Sequence, residues 1–586
     1  CESSGTGGGL LSNCSNCWEA NPKADCAIRL HAEMTDGSVS QQQTSKEPPR
    51  MESLDKNAVQ LLISPEMLGD QLPSQTQGFR TQMGQITRQS GIYFAGLVFT
   101  VATGYFFKVY LARVLGAEAL GLYALGMTIV GFVGIFNALG LPQAAVRFVP
   151  SYRASGKIVQ LRSFLRQASL LLLCANLFFA LALFKLGPWV SFRLYHSTAL
   201  DHYFALFAMI MVLGALTGFL GKVLAGYQQV GKRTVIVSFI GGPLVMLATI
   251  FLIRAGYGLR GYLLSQMFAA CVVLLLSLLL VRKLTPPAEP SPLPRSYGLE
   301  RDVRSFSISV FGLGLMEFAM SQADKVTLGY YLGPRQVGIY AVAAALVAYV
   351  PVVLQSVNQV FSPAISDLHT RGEHVLLGRM FQTLTKWTFG LTLPLAFVIV
   401  MCARPLMRIF GVDFEAGWPI LVIGTVGQLV NCGVGSVGYL LLMSGNERKL
   451  IKIQAVMTGV MIVGNILLVP RLGIIGAALA AAITNVFSNG CYLREVSSVL
   501  HLHPYNRSYF RLLPPAAAAA TAIFVVKRAL LSYKSDWSVI AVSLLAAYLM
   551  FGLTTLLWGL NDDDRIIARA IKARLVGNFS RAPSVS

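Results

Sequence analysis

From residue 90 onward the chain is a succession of apolar runs of about twenty residues, separated by short segments that hold Lys, Arg, Gly and Pro. A run of that length crosses about 30 Å of hydrocarbon as a helix, because a strand exposed to lipid leaves its backbone N–H and C=O groups unpartnered. The runs predict fourteen helices, over residues 91–113, 120–146, 167–187, 203–225, 234–254, 260–281, 305–332, 338–361, 386–402, 417–443, 453–470, 474–493, 509–531 and 537–560. Residues 1–87 contrast with them: they are rich in Ser, Gln, Gly and Pro and lack a sustained apolar run. That stretch is expected to be a disordered cytoplasmic segment rather than a signal peptide. Met51 is a candidate start, with residues 1–50 a non-native extension.

Composition sharpens this picture. Charged residues make up 13% of the 586, about half the roughly 25% of soluble domains, and apolar residues reach 54%. A soluble enzyme, a secreted disulfide scaffold and a disordered protein are excluded, and an all-α polytopic membrane protein of about 14 transmembrane helices is expected. Lys and Arg exceed Asp and Glu by 48 to 27, a net charge of +21. These charges punctuate the apolar runs instead of forming one soluble basic face, so the partner they suit is anionic membrane lipid, with no nucleic acid. Loops after even-numbered spans hold 21 basic residues and loops after odd-numbered spans 12, which puts both termini on the cytoplasmic side. Of nine cysteines, five lie in apolar runs as small hydrophobes. Cys14, Cys17 and Cys26 lack a second ligand pair at zinc spacing, and no metal is assigned to them.

The chain repeats itself. KVYLARVLGAEALGLYA at 108–124 aligns without a gap to KVTLGYYLGPRQVGIYA at 325–341, with eight identities in seventeen positions at an offset of 217. Gly258 and Gly261 pair later with Gly473 and Gly476 at an offset of 215. Two homologous six-helix halves follow, 88–284 and 303–500, joined by a cytoplasmic linker at 285–302 that includes the Pro-rich 286–294. Six is even, so the repeats are parallel, and transporters built that way carry substrate between halves that rock against each other. Residues 501–560 add two transmembrane helices, and 561–586 read as a basic amphipathic cytoplasmic tail. Asn561 and the acids Asp562, Asp563 and Asp564 suit a helix N-cap and first turn better than a metal site.

Lys108 and Lys325 occupy equivalent positions of the two halves, inside predicted spans. A charge in hydrocarbon costs about 2.5–3.5 kcal/mol on insertion scales, so it faces a cavity or a partner. Two such lysines lining one central cavity attract an anion such as a pyrophosphate; the other use of both is to snorkel to the headgroups. Asp324 and Glu317 are intramembrane acids suited to ion coupling or to structural hydrogen bonds. Arg147, Arg153 and Lys222 lie near cytoplasmic helix ends, where they guide a phosphorylated headgroup or serve topology alone. Asn358, Gln359, Gln428 and Asn431 suit sugar hydroxyls or interhelical bonds. No catalytic residue and no cofactor is assigned.

The segments ADKVTLGYYLGPRQVGIYAVAAAL (323–346), FKVYLARVLGAEALGLYALG (107–126) and LAGYQQVGKR (224–233) resemble the polysaccharide-biosynthesis flippases, the O-antigen-type transporters of lipid-linked oligosaccharide. These share a superfamily, the multidrug/oligosaccharidyl-lipid/polysaccharide exporters, with the multidrug and toxin extrusion (MATE) proteins. The resemblance covers residues 85 to about 560. It implies a MATE-like arrangement of two six-helix repeats in the bacterial inner membrane. It implies a flippase, not an enzyme, that moves polyprenyl-pyrophosphate-linked oligosaccharide to the outer leaflet for cell-surface polysaccharide, including lipopolysaccharide, assembly. Lys108, Asp324 and Lys325 match the charged positions that line the family's central cavity, H⁺ or Na⁺ would be the coupling ion, and polysaccharide polymerases would be partners. Phe107 stands where related flippases often carry a second charge. The alternatives are a small-molecule cation antiporter of the same superfamily, which calls for buried acids to outweigh buried bases, and a membrane-embedded polymerase or ligase, which calls for a sizeable outer loop.

Overall fold

The computed structural model describes residues 72–195, 198–285, 301–530 and 536–557. Most of the N-terminal segment with Met51, Cys14, Cys17 and Cys26, nearly all of the linker, and the C-terminal tail with Asp562, Asp563 and Asp564 lie outside them. The chain divides into two units, Cys1–Gln82 and Met83–Ser586, and the site belongs entirely to the second.

The N-terminal half comprises α1 (Leu72–Ala138), α2 (Leu141–Ala154), α3 (Ile158–Tyr195), α4 (Phe204–Gly226), α5 (Val230–Thr234), α6 (Gly242–Arg254) and α7 (Gly258–Leu284). The C-terminal half comprises α8 (Arg301–Leu332), α9 (Pro334–Val347), α10 (Val352–Thr370), α11 (His374–Met401), α12 (Ala403–Arg408), α13 (Trp418–Val434), α14 (Val437–Met443), α15 (Glu447–Leu472) and α16 (Ile474–Val499). Two further helices, α17 (Leu513–Ala529) and α18 (Asp536–Leu557), pack on each other and dock against α11. Every element among the described residues is helical.

Among the described residues eleven helical stretches, α5 and α6 together making one (Val230–Arg254), are long and apolar enough to cross a membrane, or twelve if the bent pair Pro334–Val347 and Val352–Gln359 is one span. The expected fourteen are not reached by that measure, for two physical reasons. Predicted spans 91–113 and 120–146 run together in α1, and α8 carries Ser, Gln, Glu, Asp and Lys along its length. Large apolar side chains such as Phe192 and Phe251 are 69% and 72% exposed. On a soluble protein that would be a liability, whereas on a multi-pass membrane protein it is the lipid-facing surface.

The repeat read in the sequence is present in the backbone. α1 breaks at Gly116, with φ 77° and ψ 176°, and the helix pair α8–α9 breaks at Gly333, with φ 84° and ψ 177°. The two glycines are 217 residues apart, and each takes a positive φ that a side chain would strain. Just beyond these breaks the halves touch backbone to backbone. A Cβ on Gly121 would collide with the Pro334 carbonyl, and one on Gly338, its repeat mate, with the Ala117 carbonyl. Two small residues are what permits an approach that close.

Three apolar cores follow from this geometry. One is shared by the halves and collects the ends of helices nearest the Gly116 and Gly333 breaks, including Leu183 of α3, Phe204 and Phe207 of α4, Leu263 of α7, Val398 of α11 and Leu421 of α13. The opposite ends build two separate cores. Leu161, Phe219, Leu224 and Val281 belong to the N-terminal half, and Phe361, Phe381, Val434 and Val496 to the C-terminal half. The halves are thus fused at one end and keep separate cores at the other, where α8 of the C-terminal half still packs against α2 and α3 of the N-terminal half.

Candidate functional site

Between the halves, walled in part by the shared core, lies a cavity of about 410 Å³ lined by Lys108 of α1 and by Gln322 and Lys325 of α8, with Tyr123, Thr128 and Tyr262. Lys108 and Lys325 each lie eight residues before a helix break, about 12 Å along the helix axis, which is why the repeat delivers both to one place. Both side chains line the same cavity. Lys325 Nζ donates to Gln322 Oε1 at 2.7 Å, and Thr128 Oγ1 reaches the same oxygen at 3.3 Å. Across the cavity Gln266 Nε2 donates to the Tyr123 hydroxyl at 2.9 Å, and the Tyr123 and Tyr262 rings stand 5.0 Å apart. The result is a polar, net cationic chamber between apolar walls.

Asp324 does not share this exposure. It is buried, accepts from the Lys325 backbone N–H at 2.7 Å, and lies beside the hydroxyl of the buried Tyr340 of α9. Glu317 is exposed on α8 and lines none of three described cavities.

The other candidates separate. Asn358 is buried, accepts from Ser436 Oγ, and lines a second cavity of about 550 Å³ inside the C-terminal half. Gln428 and Asn431 line it too, bonded to each other within α13 at 3.1 Å rather than across helices. Gln359 is exposed and outside it. Lys222 lines a third cavity of about 300 Å³ in the N-terminal half. Arg147 and Arg153 are exposed and line none of the three; the Arg147 guanidinium lies 5.5 Å from the Phe148 ring centroid.

Sequence reasoning did not single out Gln322, Tyr123 or Tyr262. Gln322 carried a signal, since it is one helical turn from Lys325 and shares its face, whereas the tyrosines come from helices whose packing no local pattern reveals. It also passed over Thr484, Asn485, Ser488 and Asn489, whose spacing makes a polar stripe along one face of an otherwise apolar α16. Among the described residues no three His, Cys, Asp or Glu side chains gather into a metal-binding group.

Known proteins match this chain as the repeat residues lead one to expect. The family model described as polysaccharide biosynthesis protein matches residues 86–369, and the MatE model matches 311–447. An uncharacterised membrane protein of Methanocaldococcus jannaschii is 23% identical over 60% of this chain and 71% of its own length. The succinoglycan biosynthesis transport protein ExoT of Rhizobium meliloti is 29% identical over 32% of this chain and 37% of its own. Among solved structures, the lipid II flippase MurJ in an inward closed conformation superposes with a TM-score of 0.61 at 12% identity, covering 78% of this chain and 98% of that one. An inward-facing multidrug resistance MATE family transporter of the MOP superfamily gives 0.55 at 15% identity, covering 68% and 94%. The chain therefore shares the fold of these two solved structures.

Proposed function

We propose that this multi-pass membrane protein, built on the fold of MurJ and the MATE transporters and similar to polysaccharide-biosynthesis transport proteins, is a flippase for polyprenyl-pyrophosphate-linked oligosaccharide. The observation that carries the reading is the pair Lys108 and Lys325, one from each repeat, lining one cavity between the halves. Two ammonium groups lining one part-apolar chamber make it a favourable place for an anion. At an effective dielectric of about 20, unit charges about 4 Å apart interact by about 4 kcal/mol, so a pyrophosphate bridging both is strongly favoured over a neutral or cationic ligand. A small-molecule cation antiporter finds the opposite electrostatics here.

The mechanism is alternating access. The halves keep separate cores at the end away from the Gly116 and Gly333 breaks, which the excess of basic loops assigns to the cytoplasm. The pyrophosphate enters from that side, its polyprenyl tail remains in lipid, and rocking of the halves carries the sugars outward. The bacterial inner membrane is the setting, and polysaccharide polymerases take the product. Asp324, buried beside the cavity wall, is the coupling site for H⁺ or Na⁺ rather than the exposed Glu317. Asp324→Asn is expected to abolish the ion dependence of transport while Glu317→Gln keeps it; the reverse result moves the assignment to Glu317.

The test is translocation of a labelled polyprenyl-pyrophosphate oligosaccharide in proteoliposomes. Lys108→Ala and Lys325→Ala are each expected to slow it at least tenfold, as the loss of a charge-assisted contact of about 1.5–3 kcal/mol implies. Wild type that moves no such lipid but exports an organic cation refutes the flippase reading and leaves the fold intact.

A further inference from the structure

The cavity inside the C-terminal half has a repeat mate. Met211, Gly214, Gly218 and Lys222 line the N-terminal cavity, and 217 residues on, Gln428, Asn431, Gly435 and Tyr439 line the C-terminal one. The register is secure on both sides of these positions. Pro188 and Pro405 pair at the same offset within α3 and α12, and Gln228 and Gly445, also 217 apart, both take positive φ at the turn that follows. The two chambers are one architectural feature, present twice.

Their chemistry differs. In the N-terminal chamber apolar groups predominate, with Asn137 and Lys222 as its polar members. Twelve of nineteen lining residues in the C-terminal chamber are polar, and none is Lys, Arg, His, Asp or Glu. Seven of the twelve are carboxamides, each offering donors and an acceptor at once. On α16 the polar stripe Thr484, Asn485, Ser488 and Asn489 stands where the 215 offset places Ala269, Ala270, Val273 and Leu274 of α7. The fold forms with small or apolar residues at these places, so folding does not require the polar set. Moreover Thr484 Oγ1 and Ser488 Oγ, on residues 3% and 5% exposed, have no hydrogen-bond partner among the described residues. Buried hydroxyls left unpaired are costly, and both residues line this chamber.

We infer that the C-terminal chamber is a subsite for an uncharged, polyhydroxylated chain, the sugar portion of the substrate, and that its N-terminal mate is not. Sugar hydroxyls donate and accept, as carboxamides do, and they carry no charge to attract counter-ions. α8 contributes to both neighbouring spaces, Met320 to this chamber and Gln322 and Lys325 to the cationic one, so a pyrophosphate held by the lysines has its glycan beside the chamber. This assignment rests on the flippase reading for the tether, and on the chamber's own chemistry for the sugar.

The test measures binding to the full chain in nanodiscs of three probes: a polyprenyl pyrophosphate bearing a neutral oligosaccharide, the bare polyprenyl pyrophosphate, and a free neutral gluco-oligosaccharide. Wild type is expected to hold the glycosylated lipid about tenfold tighter than the bare one, the worth of two net hydrogen bonds. Gln428→Met with Asn431→Gly gives the chamber the residues of its mate and is expected to erase that preference with bare-lipid affinity unchanged. Thr484→Ala with Ser488→Val reads the same difference should the first pair fail to fold. Free oligosaccharide that competes with the glycosylated lipid alone supports the subsite. Equal wild-type affinity for both lipids, or variants that weaken both alike, overturns it. If wild type binds neither lipid yet holds the free oligosaccharide in a way these variants abolish, the subsite stands and the lipid-carrier reading falls.

Discussion

Asp324 and Lys325 are neighbours in sequence with opposite surroundings. One residue turns a helix by about 100°, which is enough to send the carboxylate into the protein, against Tyr340, and the ammonium into the cavity with Gln322. The sequence showed an acid beside a base and left open whether they pair; which face each occupies depends on α9 packing beside α8. Tyr340→Phe removes a hydroxyl from a buried carboxylate and is expected to destabilise the protein by about 1–3 kcal/mol. Thermal unfolding of the two proteins in the same detergent checks it. An unchanged midpoint would mean that Asp324 draws its support from the Lys325 amide alone. The lysines themselves were legible because a charge in an apolar run is conspicuous and the repeat doubled it. Tyr123 and Tyr262 were not, because aromatic residues in apolar helices look alike whether they line a cavity or fill a core.

At the scale of elements, apolar runs located the helices and understated their length. Residues 167–187 mark the apolar middle of α3, yet the helix runs Ile158–Tyr195, its ends carried by Arg162, Arg166 and Arg193 beyond the hydrocarbon. The moderate loop bias has a structural counterpart. Arg113 Nε donates to the Ile409 carbonyl at 2.7 Å, Lys527 Nζ to the Met401 carbonyl at 2.7 Å, and Arg335 and Arg408 pair with Asp413 and Glu415. Basic residues on the less basic side thus serve helix ends and loops, a use that charge counting does not separate from topology. The glycine contact between α1 and α9 makes a sharper prediction. Gly121→Val is expected to push the halves apart at the fused end, seen as a longer distance between spin labels placed there, and to abolish transport. Gly104→Val, on the same helix with open space at its Cβ, is expected to leave both unchanged. Equal behaviour of the two variants would remove the contact from the switching mechanism.

For the whole molecule, the repeat made the two halves legible before any coordinates, because the residues that break helices and let backbones touch stayed alike. The two internal chambers were not legible as a pair, because their linings diverged until only the offset relates them. Sidedness is open to direct measurement. In a cysteine-free background, Asp413→Cys on intact cells is expected to react with a membrane-impermeant maleimide, and Ser155→Cys only after the cells are opened. The opposite pattern would invert the protein in the membrane and reverse the direction of transport proposed for it.

The fused end also sets what switching costs. In water, separating the shared core would expose Phe207, Leu263 and Leu421 to a solvent that rejects them, a penalty of about 1.5–3 kcal/mol for each large side chain. Within a bilayer the parted surfaces meet acyl chains as apolar as leucine, so what is lost is interlocking shape rather than hydrophobic transfer energy. The surrounding lipid then behaves as a reactant. Chain length and lateral pressure decide how readily acyl chains fill the seam, and the turnover of this protein becomes a property of its membrane as much as of its own sequence.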